Sequence, residues 1–294
     1  MTEQSAGGSS TARVDGAAVR YQRRGGGRPV VLLHPLRMQL EYFDAVCSEL
    51  RDADVELIAV DLPGHGHSSA PAVDYTASYF TTAVDALLED ISVVDAIVVG
   101  ESIGASIGLS LAARHCSRVA GVVAFNPYDY GRWGGIRRSS TTGNIVFTTM
   151  LLPVIGPVVA QAGTKGVLRR VLDGGLYDHR HLSPQLVDEL YQSGRRPGHG
   201  RALRSLSRNW QSWICARDRY PAIQIPVTLA YGDHDWSNHD EREANCRVIP
   251  TVRSTTIRDC GHFSCLDKPA DVSALIRHFL ALPGGRNIRR TPDG

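Results

Sequence analysis

Residues 98–105 read Val-Val-Gly-Glu-Ser-Ile-Gly-Ala, a G-x-S-x-G motif centred on Ser102. The residues before it, Asp-Ala-Ile-Val-Val at 95–99, are those of a buried strand, and the small and apolar residues at 103–113 suit a helix. A serine at such a strand-to-helix turn is held in a strained backbone conformation, with its hydroxyl projecting from the sheet edge. The turn demands little bulk two residues before and two after the serine, and Gly100 and Gly104 supply that. The helix that follows aims its first amides at the same point, where negative charge on an oxygen would develop. The pattern is that of a displayed nucleophile.

Elements able to hold such a turn run along the chain. Continuous or alternating apolar runs predict strands at 18–22, 29–34, 55–60, 95–99, 119–125, 226–231 and 251–257. Helical spacing at 40–50, 76–91, after Ser102 and at 270–282 falls between and after them. Short apolar strands alternating with helices predict an α/β fold, a mainly parallel sheet flanked by helices. The rhythm breaks over 127–222, where helix-like pieces rich in Leu, Arg and Trp carry no convincing strand. That segment is expected to be a mostly helical cap or lid over the carboxyl ends of the strands, where open α/β sheets bind ligands. The core is then 14–126 and 223–283, with a disordered tail at 1–13 and a flexible one at 284–294.

Bulk properties narrow the class. With 294 residues, 43% of them hydrophobic, the chain can bury a substantial core. The start has no signal-peptide pattern, and the six cysteines (47, 116, 215, 246, 260 and 265) lack metal-ligand pairing, so reduced thiols in a cytoplasm are expected. The apolar stretch 145–160 is short for a membrane span and carries Pro153 and Pro157, which predicts a buried or pocket-lining segment. There is no nucleotide loop, metal cluster or nucleic-acid motif. No cofactor, no metal, no nucleic acid and no membrane is therefore expected as a partner. Oligomeric state is not encoded in any motif.

Five short motifs, in order and each at a predicted strand end, carry a resemblance. They are His34-Pro35, the run Asp61-Leu62-Pro63-Gly64-His65-Gly66-His67-Ser68, the Ser102 motif, Gly232-Asp233-His234-Asp235 and Gly261-His262. Together they resemble the α/β-hydrolase fold superfamily, in its cap-bearing serine hydrolase branch. The resemblance extends over most of the chain outside the cap and the tails. It implies Ser102 as nucleophile, His262 as general base and then acid, and Asp235 as the carboxylate that orients the imidazole. Asp233 and Asp240 lie close by, and the Gly-x-x-Asp pattern selects Asp235. It also implies an oxyanion hole built from the N–H of Ile103 and one from the loop after His34. This chain departs from the usual His-Gly there: Pro35 has no N–H, which moves the expected donor to Leu36. His65 and His67 are expected to be loop residues.

A serine at the elbow, in place of aspartate or cysteine, points to acyl chemistry. The leading expectation is hydrolysis of a carboxylic ester or thioester through an acyl-enzyme. Alternatives are carbon–carbon hydrolysis of a diketone, with Arg137 and Arg208 as candidate carboxylate binders, or a ligand-binding protein on the same fold. Between residues 127 and 222 stand thirteen Arg and one Lys against five Asp and one Glu, a net of +8 in a chain of net +2. That excess either holds an anionic small-molecule acyl substrate or forms a solvated, ion-paired face. Arg37, Trp133 and Trp210 are the candidate substrate-binding residues. Trp213 is expected in cap packing or an apolar wall.

Overall fold

The computed structural model describes residues 8–14, 16–131 and 135–282. Trp133, the tail expected at 284–294 and the first seven residues of the expected 1–13 tail lie outside the described residues. The strands are β1 (Ser9–Val14), β2 (Ala17–Gly25), β3 (Arg28–Leu33), β4 (Val55–Val60), β5 (Ala96–Glu101), β6 (Val119–Phe125), β7 (Val227–Gly232) and β8 (Val252–Ile257). They form one sheet in the order β1-β2-β4-β3-β5-β6-β7-β8. β1 and β2 are antiparallel to their neighbours, and all other pairs are parallel. β5 lies in the middle and is buried at every residue, as a strand covered by helices on both faces must be.

The topology decides where a ligand can enter. β3 pairs with β4 on one side and β5 on the other, so the chain leaving β3 and the chain leaving β5 diverge. The crevice between them is the switch point of the sheet. It is bounded by the loop 34–39 and by the turn at Ser102.

Helices α1 (Asp44–Glu49), α2 (Ala77–Asp90) and α3 (Ile103–Ala113) belong to the first half. Between β6 and β7 come α4 (Ile136–Ser139), α5 (Thr141–Met150), α6 (Gly156–Ala162), α7 (Lys165–Asp173), α8 (Pro184–Gly194), α9 (His199–Arg208) and α10 (Trp210–Ala216). No strand occurs there among the described residues. The last helices are α11 (His239–Val248), α12 (Ser264–Asp267) and α13 (Pro269–Ala281).

Two expectations need correction. Residues 9–13 are not a disordered tail: they form most of β1, with Ala12 opposite Val19 and Val14 opposite Ala17. Only Ala12 and Val14 turn inward, so the strand carries too little apolar signal to stand out from a polar terminus. Residues 145–160 line a cavity in part, as expected, through Val146, Phe147, Met150, Val159 and Ala160, but are not buried throughout. Phe147 and Met150 face inward, whereas Val154 is 85% exposed and Ile155 and Val158 are also exposed. The helical run breaks between α5 and α6 around Pro153, so its apolar residues cannot share one face. No described helix is long and apolar enough to cross a membrane.

The loop after β4 is held by a buried carboxylate. Asp61 accepts hydrogen bonds from Arg20 Nε (2.6 Å), the His67 N–H (2.7 Å) and the Leu40 N–H (2.8 Å), and Gly66 leaves room for it. His65 and His67 are loop residues, as expected; His65 is buried beside His34. Removing the carboxylate strands two amides at once and leaves Arg20 with Glu41 as its remaining acid partner. Asp61→Ala is expected to cost about 3 kcal/mol, read from the midpoint of urea unfolding. A loss below about 1 kcal/mol would show that the loop stands without this anchor.

Candidate active site

Ser102 sits at φ 56°, ψ −117°, outside the regions an L-residue favours. A Cβ on Gly100 would run into the Gly104 carbonyl, and one on Gly104 into the Leu33 carbonyl. The two glycines therefore let α3 fold back against both β5 and the end of β3. The conformation is pinned by three backbone bonds. The Ser102 N–H donates to the Phe125 carbonyl (2.9 Å), and the Ser102 carbonyl accepts from Tyr128 and Ser106 (both 3.1 Å).

His262, in the loop after β8, places Nε2 at 2.9 Å from Ser102 Oγ and Nδ1 at 2.5 Å from Asp235 Oδ1. Facing a carboxylate, Nδ1 carries the proton, which leaves Nε2 to accept from the serine hydroxyl. Asp235 Oδ2 accepts from the Ser237 N–H (2.9 Å), the Ser237 hydroxyl and the Tyr130 hydroxyl (3.1 Å). Burial alone would raise the Asp235 carboxyl. The charge and hydrogen bond of His262, with those of Ser237, bring it below the usual value. All three side chains are buried. The other aspartates have separate work: Asp233 accepts from the amides of Asp259 and Cys260 (both 3.0 Å), and Asp240 lies in the first turn of α11.

Several supporting residues carry no motif. Trp236 stacks on the imidazole, with centroids 3.8 Å apart and planes within 12°, and its indole N–H donates to the Gly174 carbonyl beyond α7. Asn126, left-handed at φ +45°, donates through Nδ2 to the His262 carbonyl (3.0 Å) and to Ser264 Oγ (2.9 Å). Its Oδ1 accepts from the Gly232 N–H (2.9 Å). Glu101 is fully buried and accepts from the Ser264 N–H (2.6 Å), Asn126 and the Tyr42 hydroxyl. Burial raises its carboxyl, against the pull of those donors and of His262. A glutamate at the end of an otherwise apolar strand was the available sequence signal for this group.

The loop after β3 turns at Pro35–Met38, where the Met38 N–H donates to the Pro35 carbonyl (3.1 Å). His34 braces it, donating from Nδ1 to the Pro35 carbonyl (2.7 Å) and accepting from the Leu62 N–H at Nε2 (3.0 Å). Leu36 and Arg37 occupy the middle of the turn. Neither the Leu36 N–H nor the Ile103 N–H meets an acceptor among the described residues. Of the other candidates, Trp210 borders a small cavity with Tyr128 and Phe147, and Trp213 is buried against Phe80 and Tyr128.

The chain matches the model of the alpha/beta hydrolase family over residues 30–275. It is 26% identical to the dihydrolipoyllysine-residue acetyltransferase component of the acetoin cleaving system of Cupriavidus necator, across 95% of this chain and 70% of that protein. It is 24% identical to bifunctional epoxide hydrolase 2 of Sus scrofa, across 90% of this chain and 53% of that protein. A 2-hydroxymuconate semialdehyde hydrolase of a Pseudomonas species is also 24% identical, across 87% of this chain and 88% of that protein. Among solved structures, an epoxide hydrolase without ligand superposes with a TM-score of 0.79 at 22% identity, over 94% of this chain and 99% of that one.

Beside the triad, Asp129 is buried with Oδ2 unpartnered among the described residues, and Arg217 donates to its backbone carbonyl (2.6 Å). Burial lifts its carboxyl to about 7, against the opposing charge of Arg217. An acid raised on folding binds its proton more tightly in the native state. Its contribution to stability is therefore greatest at low pH and declines as pH rises from the unfolded value, about 4, towards 7. Asn mimics the neutral acid. Asp129→Asn is expected to raise Tm by clearly more at pH 8 than at pH 5; equal shifts at both pH values would contradict the assignment.

Proposed function

The chain belongs to the alpha/beta hydrolase family, and from that premise we propose that it is a cofactor-independent serine hydrolase of a carboxylic ester or thioester. One observation carries the reading: a buried serine, imidazole and carboxylate in line, at 2.9 and 2.5 Å. In the first half-reaction Ser102 Oγ attacks the acyl carbon while His262 Nε2 takes its proton. Asp235 keeps the proton on Nδ1 and stabilises the imidazolium, and the stacked indole of Trp236 fixes the plane of the ring. Charge developing on the carbonyl oxygen would be met by the free N–H groups of Ile103 and Leu36, an oxyanion hole at the start of α3 and in the facing turn. His262 then returns the proton to the departing alkoxide or thiolate. Water, deprotonated by the same nitrogen, attacks the acyl-serine and releases the acid.

The nucleophile separates this reading from an epoxide hydrolase. Serine opening an epoxide would leave an ether, with no carbonyl for water to attack, so the site cannot turn over by that route. The helices between β6 and β7 serve as a cap: Gly174 receives the Trp236 indole, tying the segment to the catalytic histidine. The likeness to 2-hydroxymuconate semialdehyde hydrolase favours one second reading, cleavage of a carbon–carbon bond next to a ketone. There the same triad would also have to protonate a carbon leaving group. A cytoplasmic setting suits six cysteines that all stand as free thiols.

Intact mass after exposure to a small fluorophosphonate is expected to show a single adduct on the wild type and none on Ser102→Ala. An adduct on both, or on neither, counts against an activated Ser102. In turnover of aryl esters, Asp235→Asn is expected to lower kcat by about 10³–10⁴-fold, because the amide favours the wrong imidazole tautomer. A loss below tenfold would remove Asp235 from the triad. A panel pairing esters with vinylogous diketones separates the acyl and carbon–carbon readings.

A further inference from the structure

The turn that carries Leu36 also carries Arg37, and this arginine has no counter-ion among the described residues. Its backbone is left-handed at φ +69°, a conformation that costs energy for a residue with a side chain. The half-buried guanidinium reaches the insertion at the end of α8, where a Cβ on Gly194 would collide with it. Among the described residues it makes no ion pair and no hydrogen bond. Burial lowers its pKa, with no opposing carboxylate, but a guanidinium stays protonated. A fixed cation in that setting is expensive unless an anion completes it.

The cavity beside it indicates what the anion is attached to. Arg37 lines an apolar chamber walled by Phe147, Met150, Val171, Leu172, Tyr191 and Leu203. No carboxylate lines it among the described residues. The other charged lining residue, Arg195, is already engaged, donating to the Tyr191 hydroxyl (3.3 Å) with its guanidinium 5.4 Å from that ring's centre. Arg37 directly follows Leu36 in the turn after β3, and Leu36, Ile103 and the chamber residues Ile136, Phe147 and Met150 belong to the same apolar core.

We propose that Arg37 is the anion-binding residue of the substrate site, and that the substrate is an amphipathic acyl compound with an apolar body in this chamber and a carboxylate on Arg37. The substrate class rests on the serine hydrolase reading; the anion site itself does not. The planar fork of a guanidinium takes a carboxylate through two parallel hydrogen bonds, which an ammonium cannot reproduce.

The test separates charge recognition from turnover. Binding of monomethyl suberate and of the neutral dimethyl suberate is measured by calorimetry on Ser102→Ala protein, then on the same protein with Arg37→Met or Arg37→Lys. The half-ester is expected to bind at least tenfold tighter than the diester. Arg37→Met is expected to abolish that preference and Arg37→Lys to retain part of it. Equal binding of the two esters to protein with Arg37 intact overturns the proposal, whether or not the variants fold. So does a preference that survives Arg37→Met. Charge preference without turnover or fluorophosphonate labelling of the wild type would leave the anion site standing and remove the hydrolase reading. Turnover of neutral esters without charge preference would do the reverse.

Discussion

The carboxyl edge of the sheet depends on one backbone conformation, that of Ser102. A non-glycine residue at φ 56°, ψ −117° costs on the order of 1–3 kcal/mol and persists only where its surroundings over-determine it. Here they do so from three sides. β6 holds the amide, the chain after β6 holds the carbonyl, and α3 is buried along its whole length, so the turn cannot relax without moving the central helix. The same geometry that strains the serine exposes the first amide of α3 to the crevice at the switch point. Strain and placement are thus one feature: a relaxed turn would carry the hydroxyl away from His262.

The hydrogen-bonded set Ser102, His262 and Asp235 is assembled from chain ends far apart in sequence, and Asn126 is the joint. Through one amide it ties the end of β6 to the N–H of Gly232 at the end of β7 and to the His262 loop after β8. Glu101, at the end of β5, reaches the same loop through the Ser264 N–H. Four strand ends are therefore cross-linked immediately behind the imidazole. Burying these polar groups brings little net stability, since each loses water for what it gains. What the network contributes is position: every group in it is satisfied only when the His262 loop is in place.

Much of this was legible because it is local. A glycine-flanked serine between an apolar strand and small helical residues specifies a turn from its own neighbourhood. The Gly-x-x-Asp pattern of the resembled family singled out Asp235 from Asp233 and Asp240, and the structure gives each of the three a different environment. The rest was hidden for stated reasons. β1 carries two inward apolar residues and borrows its stability from pairing with β2. Glu101 and Asn126 find partners across strands, so nothing beside them in sequence announces what they bind. The apolar residues of 145–160 fall on both faces of a broken helical run, and only the three-dimensional path of that break decides which of them see water.

Charge shows the same contrast between composition and placement. The insertion's excess of arginine suggests a basic roof that draws anions, yet its cations are largely spent locally. Arg138 pairs with Glu241, Arg180 with Asp178, Arg169 with Asp173 and Lys165 with Asp188. Arg204 donates to the carbonyls of Met150 and Leu152, and Arg201 to that of Ala70. These contacts hold helices to one another and to the core, and exposed charges among them are screened within about 10 Å in ordinary salt. Arg37, half-buried and without a partner among the described residues, comes instead from the core, on the turn after β3. Recognition of an anion at Arg37 would therefore be a short-range, desolvated contact set by one residue, with the insertion supplying the apolar wall rather than the charge.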